Sequence, residues 1–129
     1  MSILRFMLPV LAVSAVCASQ AHAQTCAPGA QQMARTELFF GADHVSARQW
    51  RDFMAQEVTP RFPYGLTVLD GYGQWMAPGG HIAKEKSHVL LIWHGFDQSA
   101  KIDAIRDAYK QRFHQQSVMR VDGQDCVSF

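Results

Sequence analysis

A chain of 129 residues with 48% apolar and 18% charged residues has the composition of one ordinary globular domain rather than of a disordered chain. Its formal charge is +1 and it contains no run of lysine or arginine. That balance excludes the basic surface a nucleic-acid binder or a protein held on an anionic membrane would need.

The first residues read as an address. Met1–Arg5 is a short basic segment, and Phe6–Val16 is an apolar run too short to span a bilayer. Ala21-His22-Ala23 has the A-x-A form of a cleavage site. The expectation is a signal peptide over residues 1–23, cleaved after Ala23, with a periplasmic or secreted product that no longer touches a membrane. A transmembrane anchor is the alternative, and lipidation at Cys17 is disfavoured by the bulk of Val16 before it. Arg5 leaves with the leader, so 11 basic residues then face 11 acidic ones and the mature formal charge is zero. Residues 24–129 form a single domain on this reading. They keep Cys26 and Cys126, and an oxidising compartment favours a bridge between them. Two free thiols or a shared metal are the alternatives, although two cysteines without a CxxC spacing make a poor zinc site.

Residues 24–33 are small and polar and read as an arm tied down by Cys26. Arg35–Phe40 is the first strand, and Gly41–His44 is the turn after it. Ser46 with Gln49 has the form of a capping box, with Val45 and Trp50 placed for a hydrophobic staple. Trp50, Phe53, Met54 and Val58 follow at helical spacing as one apolar stripe. Pro60 ends that helix, and Pro63 and Gly65 shape the turn beyond it.

Leu66–Trp75 reads as the second strand. Its even positions carry Asp70, Tyr72 and Gln74, and its odd positions carry Gly71 and Gly73, which suits a close approach by a neighbouring element. A Pro78-Gly79-Gly80 loop leads to a third strand over Lys84–His94. Its continuous apolar centre, Val89–Trp93, predicts burial on both faces. A second helix, capped by Asp97 or Ser99, runs to about Phe113 with Ile102, Ile105, Tyr109 and Phe113 inward. Ser117–Val121 is the last strand, with a turn at Gly123. The order β-α-β-β-α-β with right-handed crossovers predicts an α+β, ferredoxin-like sandwich, a four-stranded antiparallel sheet with two helices on one face. Its last strand lies beside the first, which brings Cys126 back to Cys26.

Thr36–Gly41, Glu57–Pro63, Gly65–Asp70 with Gly73-Gln74-Trp75, and Val118–Val121 together resemble the bacterial family called domain of unknown function 3574, small and often exported proteins. The Thr-Pro-Arg-Phe-Pro-x-Gly-Leu-Thr run is its most specific part. The chain has Tyr64 where the family pattern has a small acidic residue. The resemblance implies an exported α+β domain and carries no activity with it.

No phosphate loop, Gly-x-Ser-x-Gly elbow or His-Glu-x-x-His motif occurs. His88 and His94 share strand parity but stand about 20 Å apart at about 3.3 Å per residue, and His44, His81 and His114 fall in or near turns. No metal site and no cofactor are read. Glu57 and Arg61 read as a local ion pair, and Trp75 and Trp93 as core. Asp70, Tyr72 and Gln74 are the candidate ligand-binding set. They share one strand face, with Asp70 as base or acceptor and Tyr72 as donor, and are expected on the side the helices leave uncovered. A merely solvated face is the plain alternative. The functional expectation is a non-enzymatic small-ligand-binding or interaction module that uses the open sheet face for an unknown small molecule or for self-association. The alternative is a small exported enzyme with a pocket over the sheet.

Overall fold

The computed structural model describes residues 25–129, so the expected leader and its cleavage site lie outside the described residues. Strand β1 (Gln31–Gly41) leads to helix α1 (Ala47–Phe53), which runs on into a π-helical turn over Met54–Val58. Strands β2 (Thr67–Met76) and β3 (Ile82–His94), helix α2 (Ser99–Phe113) and strand β4 (Met119–Val127) follow. The sheet order is β2-β3-β1-β4, with every neighbouring pair antiparallel. This is the expected ferredoxin-like arrangement, with both helices on one side of an otherwise open sheet.

The register explains the core. Thr36, Leu38 and Phe40 of β1, Leu90, Ile92 and His94 of β3, and Val118 just before β4 are all buried. Trp50, Phe53, Val58, Ile102, Ile105 and Tyr109 close over them from the helices. Phe40 is the hub, with its ring centroid 5.4 Å from Trp50, 6.2 Å from Phe53 and 4.6 Å from Tyr109. Edge-on packing of this kind adds about 0.5–1.5 kcal/mol per pair to the burial itself. The capping box forms as predicted. The Gln49 amide donates to Ser46 Oγ at 3.2 Å and the Ser46 amide donates to Gln49 Oε1 at 2.9 Å. Tyr109 donates its hydroxyl to the Gly41 carbonyl at 2.7 Å. Burial, with help from the Glu85 carboxylate, pushes its pKa up to about 12.

Several expectations need correction. Strand β1 starts at Gln31 rather than Arg35, because β4 runs beside it as far as the Gln31–Val127 and Gln32–Cys126 pairs. Gly123 lies inside β4 instead of turning the chain. It sits opposite Arg35, and a Cβ there would come within 3.0 Å of Arg35 Nη2. The glycine thus leaves room for the guanidinium across the strand. Helix α2 has Gln98 as its N-cap, without a side-chain cap bond. The Ser99 hydroxyl is taken by Arg120 Nη2 at 2.9 Å, and the Asp97 carboxylate turns back over Gly95. In β3, Leu90 and Ile92 are buried, but Val89 and Leu91 are only partly covered and Trp93 is 37% exposed. Helices α1 and α2 cover one side of the sheet only, so the apolar run of β3 is half covered by them. Trp75 is exposed as well, and nothing approaches within 4 Å of a Cβ placed on Gly71.

Cys26 and Cys126 are joined, with an S–S distance of 2.08 Å and a separation of 100 residues. The bond ties the segment before β1 to the end of β4. Loop-closure entropy assigns about 4.7 kcal/mol to a loop of that length, and native bridges commonly deliver about 2–4 kcal/mol.

Candidate functional site

Asp70, Tyr72 and Gln74 share one side of β2, but it is the helix-bearing side. Asp70 pairs with His88, whose parity is that of the buried Leu90 and Ile92. The expectation of the uncovered side is therefore wrong. All three nevertheless lie on the largely exposed β2–β3 hairpin. The Asp70 side chain is 83% exposed and Tyr72 is 79% exposed. Asp70 Oδ1 lies 2.6 Å from His88 Nδ1, and the His88 ring stacks on Trp50 with centroids 4.2 Å apart and planes at 15°. The carboxylate and the indole fix the imidazole and leave Nε2 free of either contact. Tyr72 stands opposite Lys86 and Gln74 opposite Lys84. The pair is oriented as a general base would be, in an open position rather than a cleft.

A more enclosed place lies at the loop that follows the π turn. After the π turn, Pro60 and Pro63 direct the chain outward and Gly65 takes φ +132, a conformation that favours glycine. Arg61 Nη1 meets Glu57 Oε2 at 2.8 Å, and Arg112 adds a second contact to Glu57 at 3.6 Å. The expected local ion pair is thus present and anchors the turn to α2. Phe62 is buried in the core cluster and so anchors the loop. Between this loop and the β3–α2 turn is a cavity of about 370 Å³, lined on the far side by Trp93, His94, Gly95, Gln98 and Lys101.

His94 is the buried end of a polar chain. It is 5% exposed and Thr36 is fully buried. Its Nδ1 lies 2.7 Å from the Gly95 carbonyl and its Nε2 lies 2.9 Å from Thr36 Oγ1. Thr36 in turn donates to Asp122 Oδ1 at 2.7 Å. Arg120 Nε reaches both Asp122 oxygens at 2.9 Å, and Arg120 Nη1 reaches Asp103 at 3.0 Å, where Arg106 also donates at 2.9 Å. A hydroxyl has one proton, so the Thr36 proton used on Asp122 cannot also serve His94. All the contacts are satisfied together when both imidazole nitrogens carry protons and Asp122 is a carboxylate. Burial pushes the Asp122 carboxyl up, but the Thr36 hydroxyl, Arg120 and His94 outweigh it and hold the pKa below its ordinary value. The bond from Arg106 does the same for Asp103 against a smaller burial effect. Burial alone lowers Arg120, and its bonds to Asp122 and Asp103 more than restore it, so its pKa is raised.

Sequence reasoning missed this chain. It weighed His94 only as a metal ligand, and among the described residues no group of three His, Cys, Asp or Glu side chains is placed to hold a metal ion. Asp122 and Arg120 stand two apart with Thr36 and Leu38 opposite them. The alternation was legible, whereas the register that brings the residues together was not.

The side of the sheet without helices is largely apolar. Leu69, Val89, Phe39 and Met119 form one row across all strands. Thr67, Leu91, Glu37 and Val121 form the next. Beyond them Trp93 donates its indole N–H to Asp125 at 2.9 Å, and Arg35 lies 3.4 Å from Glu37 and 3.5 Å from Asp125.

The family model described as protein of unknown function (DUF3574) matches residues 35–129. The chain belongs to that family. No curated protein matches it. Among solved structures it is similar to a phage SAM lyase in complex with S-methyl-5'-thioadenosine, at a TM-score of 0.54 and 13% identity, covering 82% of this chain and 95% of that one. It is also similar to a phage SAM lyase in the apo state, at 0.50 and 16% identity, over 83% and 94%. At these identities the DUF3574 chain shares the fold with those proteins, and the likeness carries no reaction with it.

Proposed function

We propose that this DUF3574 domain is an exported interaction module that works as a symmetric pair, with the open sheet faces of two copies packed together. The observation that carries the reading is the apolar row Leu69-Val89-Phe39-Met119, continued by Leu91 and Val121, on the side that neither α1 nor α2 covers. Four strands at about 4.8 Å and nine residues at about 3.3 Å give a footprint of about 570 Å² per copy. Side-chain relief enlarges that towards the roughly 800 Å² per partner of a stable interface. A second copy fits better than an unrelated partner because the face carries both signs at one end, Arg35 beside Glu37 and Asp125. An isologous pairing with its two-fold axis along the strands sets that end against its own copy and apolar rows against apolar rows. Arg35 Nε is also buried without a hydrogen-bond partner, since its contact with Glu37 is too poorly aligned to count as one. Export belongs to the same proposal, and the disulfide supports it.

The enzyme reading has less support. Among the described residues, Cys26 and Cys126 are bonded to each other and the hydroxyl beside His94, that of Thr36, is fully buried. Neither polar cluster therefore presents a free thiol, and the Thr36 hydroxyl is closed to a substrate. Light scattering on the exported protein tests the proposal. The expected mass is twice that of the chain, and Leu91→Asp gives a folded monomer with unchanged circular dichroism. A parent that stays monomeric at millimolar concentration overturns it.

A further inference from the structure

We infer that the cavity between the Pro60–Gly65 loop and the β3–α2 turn binds a small organic carboxylate with a flat apolar body. Its volume of about 370 Å³ falls within the range of pockets that enclose small ligands, about 300–1,000 Å³. Phe62 and Trp93 supply aromatic wall, and the two prolines of the loop add apolar surface. The charged groups have one sign: Lys101 and Arg61 line the cavity, and no Asp or Glu does. Arg61 is already paired with Glu57, so it contributes direction more than free charge. Lys101 has no carboxylate within ion-pair distance among the described residues. Its ammonium stands 6.0 Å from the centre of the Phe62 ring, which sets a cation at the edge of the aromatic wall. His94 forms part of the opposite side, held by its hydrogen bonds to Gly95 and Thr36. Gln98 adds an amide that can donate to a second carboxylate oxygen. A neutral ligand leaves Lys101 unanswered, and a cationic one meets like charge. A carboxylate on an apolar ring matches charge and wall together. The loop that builds the cavity is the same Thr-Pro-Arg-Phe-Pro-x-Gly run that carries the family resemblance, and neither sheet face makes use of it.

The test is titration calorimetry of the mature, disulfide-bonded protein with benzoate, phenylacetate and indole-3-acetate, each against its matched primary amide. The expected result is that at least one acid binds and its amide binds at least about tenfold more weakly. Lys101→Glu, on the exposed side of α2, is expected to remove that preference, a loss of about tenfold or more for exchanging attraction for repulsion. Asp70→Ala, at the far hairpin, is expected to leave it intact. Acids that bind no better than their amides overturn the inference, and so does a preference that survives Lys101→Glu undiminished. The solution mass of the same samples is read alongside. A monomer that keeps the acid preference refutes the paired module and leaves this site standing.

Discussion

The two sides of the sheet use the same strands to opposite ends. On the even side, Leu38, Phe40, Leu90 and Ile92 are fully buried beneath α1 and α2. On the odd side, Phe39, Val89 and Leu91 are as apolar as their neighbours yet only partly covered, and Met119, Val121 and Leu69 are exposed. A strand period of two assigns residues to faces, but it cannot say which face the helices will take. The even side shows what covering costs in sequence, namely aromatic helices, a capped start and a polar chain with its partners supplied. The odd side has the apolar composition of a core and lacks the cover.

Adjacent residues of β3 give the sharpest contrast. Leu90→Ala is expected to destabilise the fold by about 2–5 kcal/mol, and Phe53→Ala, beneath α1, by about 3–5 kcal/mol. A domain with about 5–15 kcal/mol in hand tolerates either one poorly. Leu91→Ala, one residue along, should cost the monomer less than about 1 kcal/mol, because little of its surroundings is lost. Denaturant melts at low protein concentration measure all of these. Equal losses for Leu90→Ala and Leu91→Ala in the monomer would erase the distinction between the faces.

How much of this was legible in the chain depends on the kind of information needed. The helix stripe through Trp50 and Phe53, its cap at Ser46 and the disulfide follow from local spacing and cysteine arithmetic, and they stand in the structure as read. The strand ends did not follow. Gln31 and Val127 pair only because β4 returns beside β1, a long-range fact that no local propensity carries. Gly123 looked like a turn because the Arg35 side chain that fills its place is 88 positions earlier in the sequence. The His94–Thr36–Asp122 chain was hidden for the same reason. Asp70, Tyr72 and Gln74 were correctly put on one strand face, but on the wrong side of the sheet. They lie along an exposed edge hairpin on the helix-bearing side.

The polar chain beneath α2 adds a pH test of the covered side. The Asp122 and Asp103 carboxyls are held below their ordinary value in the folded state. A lowered folded pKa means that the unfolded chain takes up protons first as pH falls. The contribution is therefore present above about pH 4, the unfolded range for a carboxylate, and is lost as pH falls through the lowered folded values. Both side chains are about half exposed, so solvent keeps the effect modest. Asp122→Asn should reduce stability near neutral pH and flatten its decline below about pH 4, followed by thermal melts across an acid series. A variant whose melting temperature falls as steeply as the parent's in that range would show that Asp122 is not part of the linkage.

The smallest effect is expected at Asp70, and it separates an arranged site from a wet edge. The carboxylate touches His88 at 2.6 Å but is 83% exposed, and an exposed pair of this kind is worth about 0–1 kcal/mol. His88 has a second support in the stacked indole of Trp50, so its ring should hold its place when the carboxylate goes. Asp70→Ala and Tyr72→Phe should therefore leave stability within about 0.5 kcal/mol of the parent. They should also leave solution mass unchanged, because the face proposed for pairing lies on the other side of the strand. The informative measurement is the His88 ring by NMR. In Asp70→Ala its ring-current shifts from Trp50 should persist. If the shifts collapse, the carboxylate rather than the indole positions the imidazole, and the hairpin would have to be treated as a built site with Asp70 at its centre.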